Sequence, residues 1–174
     1  GLGLDPAFAR FLTKKPSRGL SGIQSVTILT SPYPTYHDSQ GKLHRQKFSC
    51  KHDCHYCPRE TREVIVENKD GLCEKQTVDV MPRSYLTDEP ACRRAAVHQF
   101  DAVRQIHARL DALEKCGHPV DKLELIVIGG TFSEYPREYQ IEFCRDVFYA
   151  ANTYDSFFYP KKASGHDATK SRGS

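Results

Sequence analysis

The sequence predicts an α/β fold of about two β/α units, on three observations. Residues 25–30 and 123–128 are short runs rich in β-branched residues, the composition of buried strands. Between them Val103, Ile106, Leu110 and Leu113 fall at steps of three and four, which predicts one long amphipathic helix over about 90–116. After the first strand comes a loop with cysteines at C-x3-C-x2-C, namely Cys50, Cys54 and Cys57. A ligand-bearing loop following a buried strand is where a (β/α) barrel places its chemistry.

The other elements follow in order. Phe8, Phe11 and Leu12 share one side of a helical pattern over 5–12, and residues 14–19 read as a basic, breaker-rich linker. Pro32 and Pro34 end the first strand, and 35–49 is polar and irregular. Val64, Ile65 and Val66 suggest a short strand before a turn at 68–71. Asp88 is placed to cap the long helix, with Pro90 in its first turn and Gly117 just past its end. The second strand ends at Gly129-Gly130-Thr131-Phe132. Pro136 opens another helix, to about 152, with Ile141, Phe143, Val147 and Phe148 as its apolar side. From 153 the periodicity fails. The chain therefore divides into a basic segment (1–22), an α/β domain (23–152) and a tail expected to be disordered (153–174).

Composition narrows the class. At 174 residues the chain is long enough for one real core, and no apolar run reaches the length of a membrane span. The first residues lack the features of a signal peptide. Seven cysteines, three of them clustered, point to ligand chemistry in a reducing, cytoplasmic setting rather than to a secreted disulfide framework. Residues 1–60 hold nine Lys/Arg against four Asp/Glu, an excess suited to a polyanion; Lys14, Lys15 and Arg18 are its densest group.

Thiolates are soft ligands for iron–sulfur clusters and for zinc. Three of them leave one iron of a four-iron cluster open to a substrate, whereas a closed zinc site needs a fourth ligand, here His52, His55 or His44. Unligated thiols are the remaining reading. Two glycines at the end of the second strand let a backbone approach a ligand closely.

The segment 50–58, with Tyr56 before the third cysteine, resembles the signature of radical S-adenosylmethionine (SAM) enzymes. Further motifs narrow the likeness: Lys15-Pro16-x-Arg18, Ser84-Tyr85-x-x-x-Glu89-Pro90, Arg94-Ala95, Gly117-His118-x-Val120-Asp121-Lys122 and Gly129-Gly130-Thr131-Phe132. In this order, over about 14–150, they resemble the N-terminal part of the Elongator catalytic subunit, a radical SAM and acetyltransferase family that modifies tRNA. The resemblance implies the N-terminal portion of a partial (β/α)6 radical SAM barrel, truncated after about two β/α units. It also implies a [4Fe-4S] cluster on Cys50, Cys54 and Cys57, with SAM beside Tyr56, Gly129, Gly130 and Thr131. Lys14, Lys15 and Arg18 fall to tRNA phosphate. The activity implied is carboxymethyl-type modification of wobble uridine carbon 5, with acetyl-CoA as co-substrate. Further barrel and acetyltransferase portions are then expected elsewhere, on this polypeptide's continuation or on another chain. The competing expectation is a zinc-binding RNA-binding module without radical chemistry.

Overall fold

The computed structural model describes residues 11–158 apart from 49 and 53, with side chains described up to residue 154. Most of the helical pattern over 5–12, and the tail from 159 onward, lie outside the described residues. In chain order the described elements are β1 (Gln24–Leu29), β2 (Thr35–His37), β3 (Leu43–Arg45), β4 (Thr61–Glu67), β5 (Cys73–Asp79), α1 (Pro90–Val97), α2 (Ala102–Lys115), β6 (Leu123–Ile128) and α3 (Arg137–Phe158). The molecule is α/β, with three two-stranded sheets among the described residues.

The two strands read from β-branched composition pair with each other. β1 and β6 run parallel, from Gln24 opposite Leu123 to Leu29 opposite Ile128. The other four strands form two antiparallel hairpins. The turn expected at 68–71 joins β4 to β5: Asn68 Oδ1 accepts from the N–H groups of Asp70 and Leu72, and Gly71 has φ +75°. The β2–β3 hairpin falls in the stretch read as irregular. Asp38 supplies its turn, accepting from the N–H groups of Gln40 and Lys42 and holding His44 at 2.7 Å.

One long helix over 90–116 is not what forms. The chain breaks at Gln99 and Phe100, both left-handed (φ +55° and +58°), and Asp101 starts α2 by accepting from Arg104 N–H at 2.8 Å. Two consecutive residues off the helical backbone end α1, and the N-cap carboxylate rewards a fresh start. The break turns Phe100 onto a small core of Leu29, Met81, Cys92 and Ala95. The N-cap of α1 is Glu89, one residue later than Asp88, with Pro90 in the first turn. Gly117 follows α2 at φ +82°.

The main core lies where α2 and α3 cover β1. Val26 and Ile28 meet Ile106, Leu110 and Leu113 of α2 and Phe143, Val147, Ala150 and Tyr154 of α3. The buried face of α3 runs Tyr139, Phe143, Val147, Ala150, Tyr154, at helical steps of four and three. Ile141 and Phe148, expected on the apolar side, are seven apart on the opposite face and are exposed. The helix also continues to Phe158 rather than fading at 152.

Two features set the ends of the parallel pair. Thr30 N–H donates to Ile128 C=O, so the preceding Leu29 turns its N–H and C=O to the other edge. There the buried Gln105 side chain meets both groups, Oε1 accepting and Nε2 donating, each at 3.0 Å. On β6, Ile126 and Val127 are 40% and 37% exposed, one on each face.

Candidate site at the cysteine loop

The site sits at the C-terminal ends of β1 and β6. Beyond β1, Thr30 Oγ1 donates to Gly129 C=O at 3.0 Å and shares a 2.7 Å bond with Tyr135 Oη. Tyr135 Oη also reaches Ser31 C=O, and Ser31 N–H donates to Tyr139 Oη at 3.1 Å. These bonds fasten both strand ends to the start of α3. Burial first of all pushes both phenols well above the usual tyrosine range, so they stay neutral. Gly129 (φ +127°) and Gly130 (φ +60°) turn the chain away, and a Cβ on Gly129 would collide with Thr30 Oγ1.

Phe48 ties this turn to the cysteine loop. Its ring stacks on Tyr135 with centroids 4.0 Å apart, and a Cβ on Gly130 would lie 2.5 Å from its Cε1. Two residues later the chain reaches Cys50. The three thiols then line one cavity of about 370 Å³, together with His52, Arg83, Ser84, Gly130 and Thr131. Cys50 Sγ points to Thr131 Oγ1 at 3.8 Å, and Cys57 Sγ lies 2.8 Å from Ser84 Oγ. Arg83 Nη2 donates to Cys57 C=O at 3.4 Å, and Ser84 is held at φ +74° with its N–H on Pro58 C=O. All seven cysteines are free thiols.

The sequence-predicted residues are thus largely brought together. Cys50, Cys54, Cys57, Gly130 and Thr131 share the cavity, and Tyr56 stands at its mouth, 87% exposed. Cys54 raises the Tyr56 phenol, through a side-chain hydrogen bond first and its charge second. Gly129 supports the turn from behind, its carbonyl bonded to Thr30. Among the described residues no three His, Cys, Asp or Glu side chains stand close enough together to form a ready metal site. Of the histidines considered as a fourth ligand, His52 lines the cavity, while His44 is bonded to Asp38 on the β2–β3 hairpin. The donor set, three thiols around a cavity floored by a residue without a side chain, suits a thiolate-ligated centre with room for a second group.

The loop's flanks are held by one carboxylate. Asp79, at the end of β5, bonds Lys47 Nζ and Arg59 Nε, each at 2.6 Å. These two cations bracket the cysteines in sequence. Burial is the largest influence on Asp79 and raises its pKa; hydrogen bonds and charge from Arg59 and Lys47 outweigh it, so the carboxyl lies below its ordinary range. Nothing in the local spacing marked Asp79, Arg83 or Phe48, and the motif that contains Ser84 gave it no place at the cysteines; the contacts of all four cross long stretches of chain.

A larger cavity, about 640 Å³, opens between Tyr33, Phe100 and Tyr139 and contains none of the thiols. Lys14, Lys15 and Arg18 lie apart from the cysteine loop, beside Arg109 and His118. No described helix is long and apolar enough to cross a membrane.

No protein-family model matches the chain. Among curated proteins it is 36% identical over 145 residues to a tRNA uridine(34) acetyltransferase of Methanocaldococcus infernus, covering 83% of this chain and 22% of that protein. It is 32% identical over 139 residues to the protein of the same name in Dehalococcoides mccartyi, covering 80% and 23%. With Elongator complex protein 3 of Homo sapiens it shares 32% over 165 residues, covering 93% and 26%. The chain thus spans about a fifth to a quarter of the length of these relatives. Over most of its own length, it resembles the radical SAM proteins of the Elongator catalytic-subunit type.

Proposed function

We propose that the chain is the N-terminal part of a radical SAM enzyme that modifies uridine 34 of tRNA, working in the cytoplasm. The observation that carries this reading is the meeting of the three-cysteine loop with Gly130 and Thr131 in one cavity, at the C-terminal ends of two parallel strands. The relatives, named as tRNA uridine(34) acetyltransferases, supply the substrate class. On this reading residues 23–152 are a partial radical SAM domain, the opening of a (β/α)6 barrel, and 1–22 are its basic approach. Residues 153–158 carry the end of α3. The transformation is a carboxymethyl-type addition at uridine carbon 5, with acetyl-CoA as co-substrate of the whole protein; further barrel and acetyltransferase portions, here or on a partner chain, complete it.

Cys50, Cys54 and Cys57 are the residues that would hold a [4Fe-4S] cluster, with SAM bound beside it. When bound, that pair supplies one-electron chemistry able to activate an unreactive C–H bond. The chain's own residues bind and orient. With Cys57 ligating as a thiolate, Ser84 Oγ becomes the donor of their 2.8 Å bond and withdraws charge from the sulfur, as hydrogen bonds to cluster sulfurs do. Arg83 holds the Cys57 carbonyl and fixes the loop's end. Gly130 and Thr131 offer backbone groups and a hydroxyl to the polar end of SAM, and Tyr56 borders its adenine.

Anaerobic reconstitution with iron and sulfide tests this reading. The expected result is about four irons per chain and a visible spectrum that changes on adding SAM. Tightly held zinc with no iron uptake, His52 completing the ligand set, would overturn it in favour of a zinc-binding RNA-binding module.

A further inference from the structure

The basic segment does more than carry charge: it is folded into a pocket. Lys14 N–H donates to Cys116 C=O at 3.0 Å, and the buried His118 donates from Nε2 to Lys14 C=O at 2.8 Å. A Cβ on Gly117 would lie 3.0 Å from Thr13 Oγ1 and 3.3 Å from Thr13 Cα, so the segment packs tightly on the end of α2. Lys15 is left-handed (φ +56°) and Arg18 closes the turn after it. The result is a concavity of about 190 Å³ bordered by Lys14, Lys15, Arg18 and Arg109.

Four cations face one small space, and no described carboxylate pairs with any of them. The C-terminal end of α2 offers only about half a negative charge, far short of balancing them. Burial, then Arg18 and Arg94, press the Arg109 guanidinium below its ordinary range, as expected of a cation among cations. Lys14, Lys15 and Arg18 are exposed at the rim and Arg109 is half-buried below them, so the positive field of the group is open to an anion from solvent.

Its position separates it from the cysteines. The pocket lies where β1 and β6 begin: a Cβ on Gly19, next to Arg18, would lie 2.5 Å from Gln24 Nε2, and His118 precedes β6. The cysteine cavity lies where both strands end. Six residues of strand, about 20 Å at roughly 3.3 Å per residue, stand between them.

Building on the tRNA reading, we propose that Lys14, Lys15, Arg18 and Arg109 form a phosphate-binding pocket for the RNA backbone, at the strand-start end of the molecule. It grips a phosphodiester remote from the base being modified. Arg109 belongs to it although it lies on α2, far in sequence from the basic segment.

The test is a tRNA-binding titration of the 174-residue chain over a range of salt concentrations. Arg109→Gln is expected to weaken binding and lower the slope of log affinity against log salt by about 1, and Lys14→Gln/Lys15→Gln by about 2. Arg109→Lys keeps the charge and should keep most of the slope, which separates charge from packing. Lys69→Gln, on the β4–β5 turn, is the control of equal charge change. An Arg109→Gln slope equal to that of the control would overturn the pocket while leaving the tRNA reading intact. An unaltered chain that binds tRNA no better than a DNA duplex of similar charge would overturn both. A SAM-dependent spectral change on the reconstituted chain is expected to survive Arg109→Gln; its loss would show that the residue serves the cysteine site and would likewise overturn the assignment.

Discussion

Gly130 shows how narrowly single residues are constrained at the site. Its left-handed backbone costs any other residue about 1–2 kcal/mol, and a Cβ there drives into the Phe48 ring. Gly130→Ala is therefore expected to lose at least that much stability in urea denaturation and to take up less iron, because Phe48 leads directly to Cys50. An unchanged denaturation midpoint would contradict the geometry. Gln105 is the polar counterpart. Truncating its amide in Gln105→Leu strands the N–H and C=O of Leu29, at about 1–3 kcal/mol for each buried group left unpaired; the same denaturation experiment reads the loss. At this scale the cysteines were legible from sequence because ligands for one centre cluster in a short loop. Ser84 was not: it meets Cys57 from 27 residues away, a contact created by the β4–β5 hairpin.

Between elements, the decisive contact is Asp79 with Lys47 and Arg59. It fastens the end of β5 to both flanks of the cysteine loop. Because the folded carboxyl lies below its ordinary range, the stability it contributes is complete above the usual carboxylate pKa. It is lost as pH falls through the depressed folded value. Asp79→Asn should cost about 1.5 kcal/mol at pH 7, the low end for hydrogen bonds to charged groups, since both partners are half-exposed. The gap between the two proteins should narrow steadily on acidification below the ordinary carboxylate range. Urea midpoints of both proteins from pH 7 downward check this; a gap independent of pH would remove the carboxylate from the argument. Elements also show where periodicity reads well and where it fails. β1 and β6 were legible as β-branched runs. The break at Gln99 and Phe100 was not, because the apolar stripe continues across it; a left-handed pair and the burial of Phe100 decide it instead. The β2–β3 hairpin is too short and polar for alternation to reveal.

At the scale of the whole molecule, the fold class was legible while its completeness rests on relatives several times longer. Cys54→Ala is expected to abolish iron uptake on reconstitution and to leave the far-ultraviolet circular dichroism unchanged, since Cys54, unlike Cys50, does not pack against the main core. Full iron retention would contradict the ligand assignment. The two rims of the parallel pair differ in a way that bears on assembly. On one side, the amide of Gln105 occupies the place a neighbouring backbone would take, so growth of the sheet stops there. On the other, Ile126 and Val127 flank a rim that nothing described pairs with. Sheet extension is therefore directional: a joining strand is admitted beside Leu123–Ile128 and refused at Leu29. Amide hydrogen exchange should record the asymmetry, with slow exchange at Leu29 and fast exchange along the outer rim of β6.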